Sequence, residues 1–349
     1  MFLLLIGAVH AAALAGGNAV TRRSAISGAA ACAITGASAT PPAIAAGTSS
    51  SIITPAESGL IAGGPLPLTV GQGTCLVRPG QAQNIVKLGL QCGYRVFDTA
   101  QRYGNEAGVG KAIREAAGSI KREQVFVTTK IWVDNMGQER ASASVRESAD
   151  ALGLDGGIDL VLIHWPGKFI KRGDPENDRT NRELRAETWA ALETLKRDGV
   201  VRNIGVSNFS ERHLKELLAF ATVKPSVNQF ECHPYNQRRA LVDLCQGQGI
   251  SCMSYCPLGG RGNKGQVTDE LLKDAKILAI AKERDLTAAQ VILRWHLQRG
   301  LTPIPKASSK VHLAENIDCY GFELSSNEMA TIDRLNRDKF ALFDADVLA

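Results

Sequence analysis

Seven short apolar runs in the middle of the chain each end in a polar or ionisable residue. They are Tyr94–Asp98, Val125–Lys130, Asp159–His164, Val201–Asn208, Ser226–Gln229, Ile250–Tyr255 and Leu301–Lys306. Near-continuous apolar runs suit parallel strands buried on both faces, and helix-length segments separate most of them. Such an alternation closes into a parallel barrel, whose strand carboxyl ends meet at one mouth. The expected fold is α/β: a (β/α)₈ TIM barrel with one or two extra C-terminal helices. The pattern gathers Asp98, Lys130, His164, Ser207, Asn208, Gln229, Tyr255 and Lys306 around one cavity.

Around these runs, Leu60–Leu68 is rich in Gly and Pro and is expected to form an N-terminal hairpin before a first strand near Thr69–Thr74. Helices are expected at Gln81–Gln91, Glu106–Ala117, Gln138–Leu152, Arg182–Arg197, Glu211–Phe220 and Arg238–Gly247. Others are expected at Asp269–Arg284, Ala288–Arg299, Val311–Cys319 and Asn327–Asn336. Thr287 and Gln290 form a capping box, and Gly300 stands where a left-handed cap residue is wanted. Trp189 and Trp295 fall on apolar stripes and read as core.

The first 59 residues differ from the rest. Met1–Ala15 is apolar but short for a bilayer span. An Arg22-Arg23 pair and an Ala37-Ser38-Ala39 stretch follow, and no acidic residue precedes Glu57. This composition resembles a two-part, plastid-like import signal with a twin-arginine flavour. A mis-assigned start, a disordered tail and a cytosolic protein are the alternatives. Residues 60–349 are assigned to the barrel, with no stable membrane insertion once the leader is removed.

A net charge of +5 with no long basic run does not indicate a nucleic-acid partner. Eight cysteines form no CxxC pair, and Cys232, His233, Cys245 and Cys252 lack zinc-ligand spacing, so no metal is expected. No GxGxxG follows a strand and no P-loop is present. The loop Gly259–Gly265 (GGRGNKG) is suited to folding over a phosphate through its backbone N–H groups. Lys168, Lys171 and Arg172, in the long segment after His164, read as a solvated loop face.

Asp98–Glu106 (DTAQRYGNE) is the most specific local string: a carboxylate at a strand end and a phenol five residues later. With Lys130 and His164 ending the next two strands, the set suits proton transfer to a carbonyl oxygen. The ordinary phenol value lies near 10, so Tyr103 needs a cationic neighbour to exchange a proton near neutrality. Lys130 supplies that charge, Asp98 anchors the lysine and His164 orients the carbonyl.

These strings resemble the aldo-keto reductase superfamily, from about Leu66 to Asn336. The resemblance rests on Gly73-Thr74, Phe97–Glu106, Thr128–Trp132, Leu162–Pro166, Gly205–Phe209, Asn228–Tyr235, Tyr255–Gly259, Ile304–Lys306 and Glu315-Asn316. It implies NADPH-dependent reduction of an aldehyde or ketone, with Tyr103 as general acid, Lys130 and Asp98 tuning it, and His164 orienting the substrate. Gly73, Thr74, Ser207, Asn208, Gln229, Tyr255, Cys256 and Leu258 would meet the cofactor. Lys306, Ser308 and His312 would lie at its 2′-phosphate, Glu315 and Asn316 at the adenine. Trp132 and Trp165, with His164, would line the substrate pocket of a monomer acting on a small carbonyl compound.

Four positions depart from the family pattern. Cys75 replaces a pocket tryptophan, Cys256 a serine, Ala307 the serine after the cofactor lysine, and His312 an arginine. A mostly neutral imidazole in place of a fixed guanidinium fork implies a weakened NADPH preference, with NADH also accepted. Two other functions fit a barrel with these residues. Lys130 forms a Schiff base in a lyase or aldolase, or the chain is a non-catalytic NADPH sensor.

Overall fold

A computed structural model describes residues 66–169, 175–260 and 270–342, together with 344, 347 and 348. The leader, most of the Leu60–Leu68 hairpin, Lys171, Arg172, residues 261–265 of the glycine-rich loop and Phe343 lie outside the described residues.

Eight strands run in sequence order and pair in parallel throughout. They are β1 (Gln72–Gly73), β2 (Val96–Asp98), β3 (Phe126–Ile131), β4 (Ile158–Ile163), β5 (Val201–Ser207), β6 (Val227–Glu231), β7 (Ser251–Tyr255) and β8 (Leu301–Pro303). The Gly71 amide donates to Pro303 O at 2.9 Å and the Gly73 amide to Pro305 O at 3.1 Å. These bonds join the last strand to the first, so the sheet is a closed barrel without edges.

The described helices are α1 (Pro79–Gln91), α2 (Glu106–Glu115), α3 (Gln138–Leu152), α4 (Pro175–Arg197), α5 (Glu211–Phe220), α6 (Arg239–Gly247), α7 (Ala275–Glu283), α8 (Ala288–Gln298), α9 (Lys310–Ile317) and α10 (Ser326–Asp333). None among the described residues is long and apolar enough to cross a membrane. The boxed cap of α8 forms as the sequence indicates, with Thr287 N to Gln290 Oε1 at 2.9 Å and Gln290 N to Thr287 Oγ1 at 3.2 Å. Trp189 and Trp295 are both buried in the core.

Most helix boundaries fall within three residues of expectation, and two differ by more. Helix α4 begins at Pro175, not Arg182, which shortens the loop after β4. Proline suits a helix's first position, and Glu176 and Asp178 complement the positive end of the dipole. The segment expected as one helix over Asp269–Arg284 breaks at Asp274. Its carboxylate caps α7 by accepting from Lys276 N at 2.9 Å, an N-cap conformation that a continuous helix would forbid.

Period-2 alternation explains why the runs are apolar throughout. Val96, Phe126, Leu160, Leu162, Val227 and Met253 point into the barrel and pack together. Their neighbours Phe97, Val127, Val161, Ile163, Ile204 and Val206 point outward into the layer beneath the helices. Both faces are dry, so both need apolar side chains. The same parity turns Asp98, Lys130, His164, Ser207, Gln229 and Tyr255 inward at the carboxyl end.

Helices α2 and α3 meet closely at Gly110, where a Cβ would fall 1.9 Å from Leu152 O. Nothing lies within 4 Å of a Cβ built at Gly80 in the first turn of α1. Gly110→Ala should therefore lower stability by about 1–3 kcal/mol despite the better helix propensity of alanine. Gly80→Ala should be neutral or raise it by up to about 1 kcal/mol. Denaturant midpoints at constant m-value measure both; equal effects of the two substitutions would contradict the close approach.

Candidate active site

At the mouth, the Lys130 ammonium is 1% exposed and sits 2.6 Å from Asp98 Oδ1. It also donates to Thr99 O at 2.9 Å and to Tyr103 Oη at 3.5 Å. Its three N–H groups are thus spent on a carboxylate, a carbonyl and a phenol. The second oxygen of Asp98 accepts from Gln229 Nε2 at 2.7 Å, which ties β6 to β2 across the barrel.

Tyr103 ends a 3₁₀ turn, Gln101–Tyr103, held by one side chain. Gln101 Oε1 accepts from the Trp132 amide at 3.0 Å and from Asn135 Nδ2 at 2.9 Å. Gln101 Nε2 donates to Ser144 O and Ser148 Oγ on α3. The buried Asn105 fastens the next step of the chain to Thr74 O at 3.0 Å and Val77 O at 3.1 Å. Thr74 in turn bonds Asp98 O, so Gly73, Thr74 and Asp98 form one continuous rim.

The His164 ring lies 5.8 Å from the Tyr103 ring and 5.3 Å from that of Trp132, edge-on to both. Its Nδ1 is buried without a hydrogen-bond partner among the described residues. Burial, then the charges of Lys130 and Arg102, hold its pKa well below 6.5, so the ring is neutral. Trp165 stacks beside it with centroids 6.5 Å apart, and Phe169 touches both indoles, at 5.8 Å from Trp132 and 5.4 Å from Trp165.

Burial also pushes the Tyr103 phenol well above its ordinary value, with Cys75 and Asp98 adding to the effect. The sequence led us to expect Lys130 to lower it. Desolvation of a phenolate packed into the mouth outweighs an ammonium already neutralised by Asp98. Cys75 is hydrogen-bonded to Tyr103, and burial raises its thiol pKa as well.

On the other side of the mouth, Tyr255 Oη donates to Asn208 Oδ1 at 2.7 Å, and Asn208 Nδ2 donates to His164 O at 2.9 Å and Ser207 Oγ at 3.2 Å. Asn208 adopts φ 62° and Cys256 φ 49°, left-handed conformations in the turns after β5 and β7. Lys306 is exposed just past β8, and no carboxylate pairs with it among the described residues. Ser309 caps α9 through its hydroxyl, with Ser308 and His312 at the same helix start, Glu315 in its second turn and Asn316 buried. Leu258 packs at the edge of the core.

Among the described residues, Asp98, Tyr103, Lys130, His164, Trp132 and Trp165 stand together, Gly73, Thr74, Ser207, Asn208, Gln229, Tyr255, Cys256 and Leu258 follow at the ends of β1 and β5–β7, and Lys306, Ser308, His312, Glu315 and Asn316 lie beyond β8. Three residues were not singled out. Arg102 places its guanidinium 5.3 Å over the Trp132 ring. Buried Glu231 accepts from the Ala341 and Leu342 amides at 2.6 and 2.9 Å, fixing the C-terminal tail beside the mouth. Arg238 lies 5.1 Å from the Phe340 ring at the edge of a small pocket that Tyr255 also lines. Glu231 and Arg238 act through the tail, and only Glu231's place at the end of an apolar run signalled its role.

The Aldo/keto reductase family profile matches residues 69–337. The chain is 41% identical over 270 residues to a glyoxal reductase of Bacillus subtilis, covering 77% of this chain and 89% of that protein. It is 38% identical over 294 residues to aldo-keto reductase family 1 member A1 of Xenopus tropicalis, covering 80% and 88%. Among solved structures, a Bombyx mori aldo-keto reductase in complex with NADP superposes with a TM-score of 0.71, at 32% identity, covering 82% of this chain and 94% of that one. With eight closed parallel strands and this array at their carboxyl ends, the chain belongs to the aldo/keto reductase family of oxidoreductases.

Proposed function

We propose that the protein reduces an aldehyde or ketone to an alcohol with NADPH, Tyr103 serving as general acid. The observation that carries this reading is the Lys130 ammonium set between Asp98 and Tyr103 beside a neutral His164. A phenol kept protonated by burial is a donor; an ammonium beside it stabilises the phenolate left after transfer. His164, uncharged, donates a hydrogen bond to the carbonyl oxygen without competing for its proton.

The donor set beyond β8 fits a phosphate. An exposed ammonium with no carboxylate partner among the described residues, the Ser308 hydroxyl and the amide end of the Ser309-capped α9 follow one another there in the chain. Lys306, Ser308 and His312 would hold the 2′-phosphate, and Glu315 and Asn316 the adenine. Ser207, Asn208, Gln229 and Tyr255 would position the nicotinamide end, with Gly73, Thr74, Cys256 and Leu258 along the groove. When bound, the nicotinamide supplies the hydride. Trp132 and Trp165 wall off the carbonyl from water. A Schiff base on Lys130 is disfavoured, because an amine nucleophile must be neutral and unencumbered and this one is fully engaged.

Three outcomes are expected. Tyr103→Phe should retain NADPH binding and cut kcat for carbonyl reduction by about 10²–10⁴-fold; unchanged turnover would remove Tyr103 from its role. Because the folded-state value of His164 lies well below 6.5, the ring stays uncharged as pH falls through that value. The kcat/KM for reduction should thus be level from about pH 6 to 8, and an inflection near the ordinary histidine value, abolished in His164→Gln, would contradict a neutral ring. The NADPH preference over NADH should stay below several hundredfold, and His312→Arg should raise it on the order of tenfold. A stronger wild-type preference, or none gained by the arginine, would show that His312 does not face the 2′-phosphate.

A further inference from the structure

Of the four ionisable groups at the centre of the mouth, Asp98 and Lys130 stand on strands and His164 directly after one. Tyr103 alone is carried beyond its strand, at the end of the 3₁₀ turn Gln101–Tyr103. The backbone bonds of that turn, Tyr103 N to Ala100 O at 2.9 Å and Gly104 N to Gln101 O at 3.1 Å, are internal to it. They shape the turn without placing it against the barrel. Yet the contact the phenol makes with the Lys130 ammonium is 3.5 Å long, at the outer edge of a hydrogen bond. A small outward shift of the turn would end it.

The Gln101 side chain supplies the placement. Its Oε1 accepts from the Trp132 amide at 3.0 Å and from Asn135 Nδ2 at 2.9 Å, both just past the end of β3. Its Nε2 donates to Ser144 O at 3.0 Å and to Ser148 Oγ at 3.2 Å, one helical turn apart on α3. A carboxamide offers two acceptor and two donor positions, and here all four are used. Exchanging its oxygen and nitrogen would set a donor against the Trp132 amide and an acceptor against the Ser144 carbonyl, so one orientation is specified. The turn is thereby fixed to the strand that carries Lys130 and to the helix that follows it. Gln101 has no hydrogen-bonding position left over for a ligand, so it acts on the site through the turn.

We propose that Gln101 is a positioning residue for carbonyl reduction, holding the Tyr103 phenol against the Lys130 ammonium without itself meeting substrate or cofactor. This rests on the reductase reading above. Proton transfer is steep in distance, and a displacement of about 1 Å in a reacting group can lower a rate on the order of 10²-fold. A clamp two residues from the acid, tied to the strand of its cationic neighbour, sets that distance.

The test is a double-mutant cycle on the full chain with NADPH and 4-nitrobenzaldehyde. Gln101→Met keeps the length of the side chain and removes all four bonds; it should lower kcat by about 10–100-fold and leave the KM for the aldehyde and the NADPH affinity within a few-fold of wild type. In the Tyr103→Phe background the same substitution should lower the residual kcat by less than about threefold, because the group it positions is already gone. NADPH titration establishes that each variant is folded. Should Gln101→Met not fold, Asn135→Ala, which removes one of the four bonds, carries the same cycle with a kcat loss of about threefold expected. A loss of equal fold in both backgrounds assigns Gln101 to general stability and overturns the proposal. A loss confined to KM places its effect on the Trp132 wall and overturns it too, as does an unchanged kcat. In each of these cases a wild-type activity that depends on Tyr103 leaves the reductase reading standing. If the wild-type protein reduces no carbonyl compound, or does so equally well as Tyr103→Phe, that reading fails and this inference falls with it.

Discussion

A charged amine buried at the end of a barrel strand is the constraint around which the mouth is arranged. Taking an ammonium out of water costs several kcal/mol unless it is paired and its protons are placed. Lys130 meets that cost with a carboxylate at 2.6 Å, a carbonyl and a phenol. These partners come from β2 and the turn after it, so the charge of β3 dictates the path of its neighbour. Asp98 then needs a donor for its other oxygen, and Gln229 reaches it from β6. Removing Asp98 would leave an uncompensated buried charge, a loss of about 3–5 kcal/mol in comparable cases. The paired strands β2 and β3 and the distant β6 are thus locked at one level by a single electrostatic requirement.

That requirement also separates the roles of the ionisable groups. The ion pair is neutral as a whole, so it provides a local dipole and little long-range field. Desolvation then governs the two groups beside it. It pushes Tyr103 toward its protonated form and His164 toward its neutral form. Both shifts favour the uncharged species, and both leave an N–H or O–H available to a carbonyl oxygen. A bare ammonium next to the phenol would have lowered the phenol instead and favoured the reverse proton transfer. Cys75 contributes here as a small, protonated neighbour of Tyr103 where the family pattern has an indole. The exchange removes bulk beside the acid and leaves the enclosing work to Trp132, Trp165 and Phe169.

The barrel was legible because its physics is local and repetitive. Two dry faces demand continuous apolar runs, and a two-residue period decides which strand-end side chain points inward. Asp98, Lys130, His164 and Gln229 follow from counting. The cap at Thr287 was legible for the same reason, since both partners lie within one turn. The break at Asp274 was not, because an aspartate inside a helical pattern reads equally as an exposed residue. The contacts of Arg102 with Trp132 and of Glu231 with the amides of Ala341 and Leu342 join segments far apart in the chain. No spacing rule reports such pairs, and the direction of the Tyr103 shift depends on burial, which only the packed mouth defines.

The division between what is fixed and what is free to vary follows from where each residue is anchored. Asp98, Lys130, His164 and Gln229 stand on strands or directly at their ends, held by ladders on both sides and by a dry core below. Trp165 and Phe169 stand on the loop after β4, and Phe340 and Leu342 on a tail tied by two amides to Glu231 and by the Arg337 and Lys339 amides to Tyr235 O. Changes in those loops alter the walls of the cavity without disturbing the ion pair.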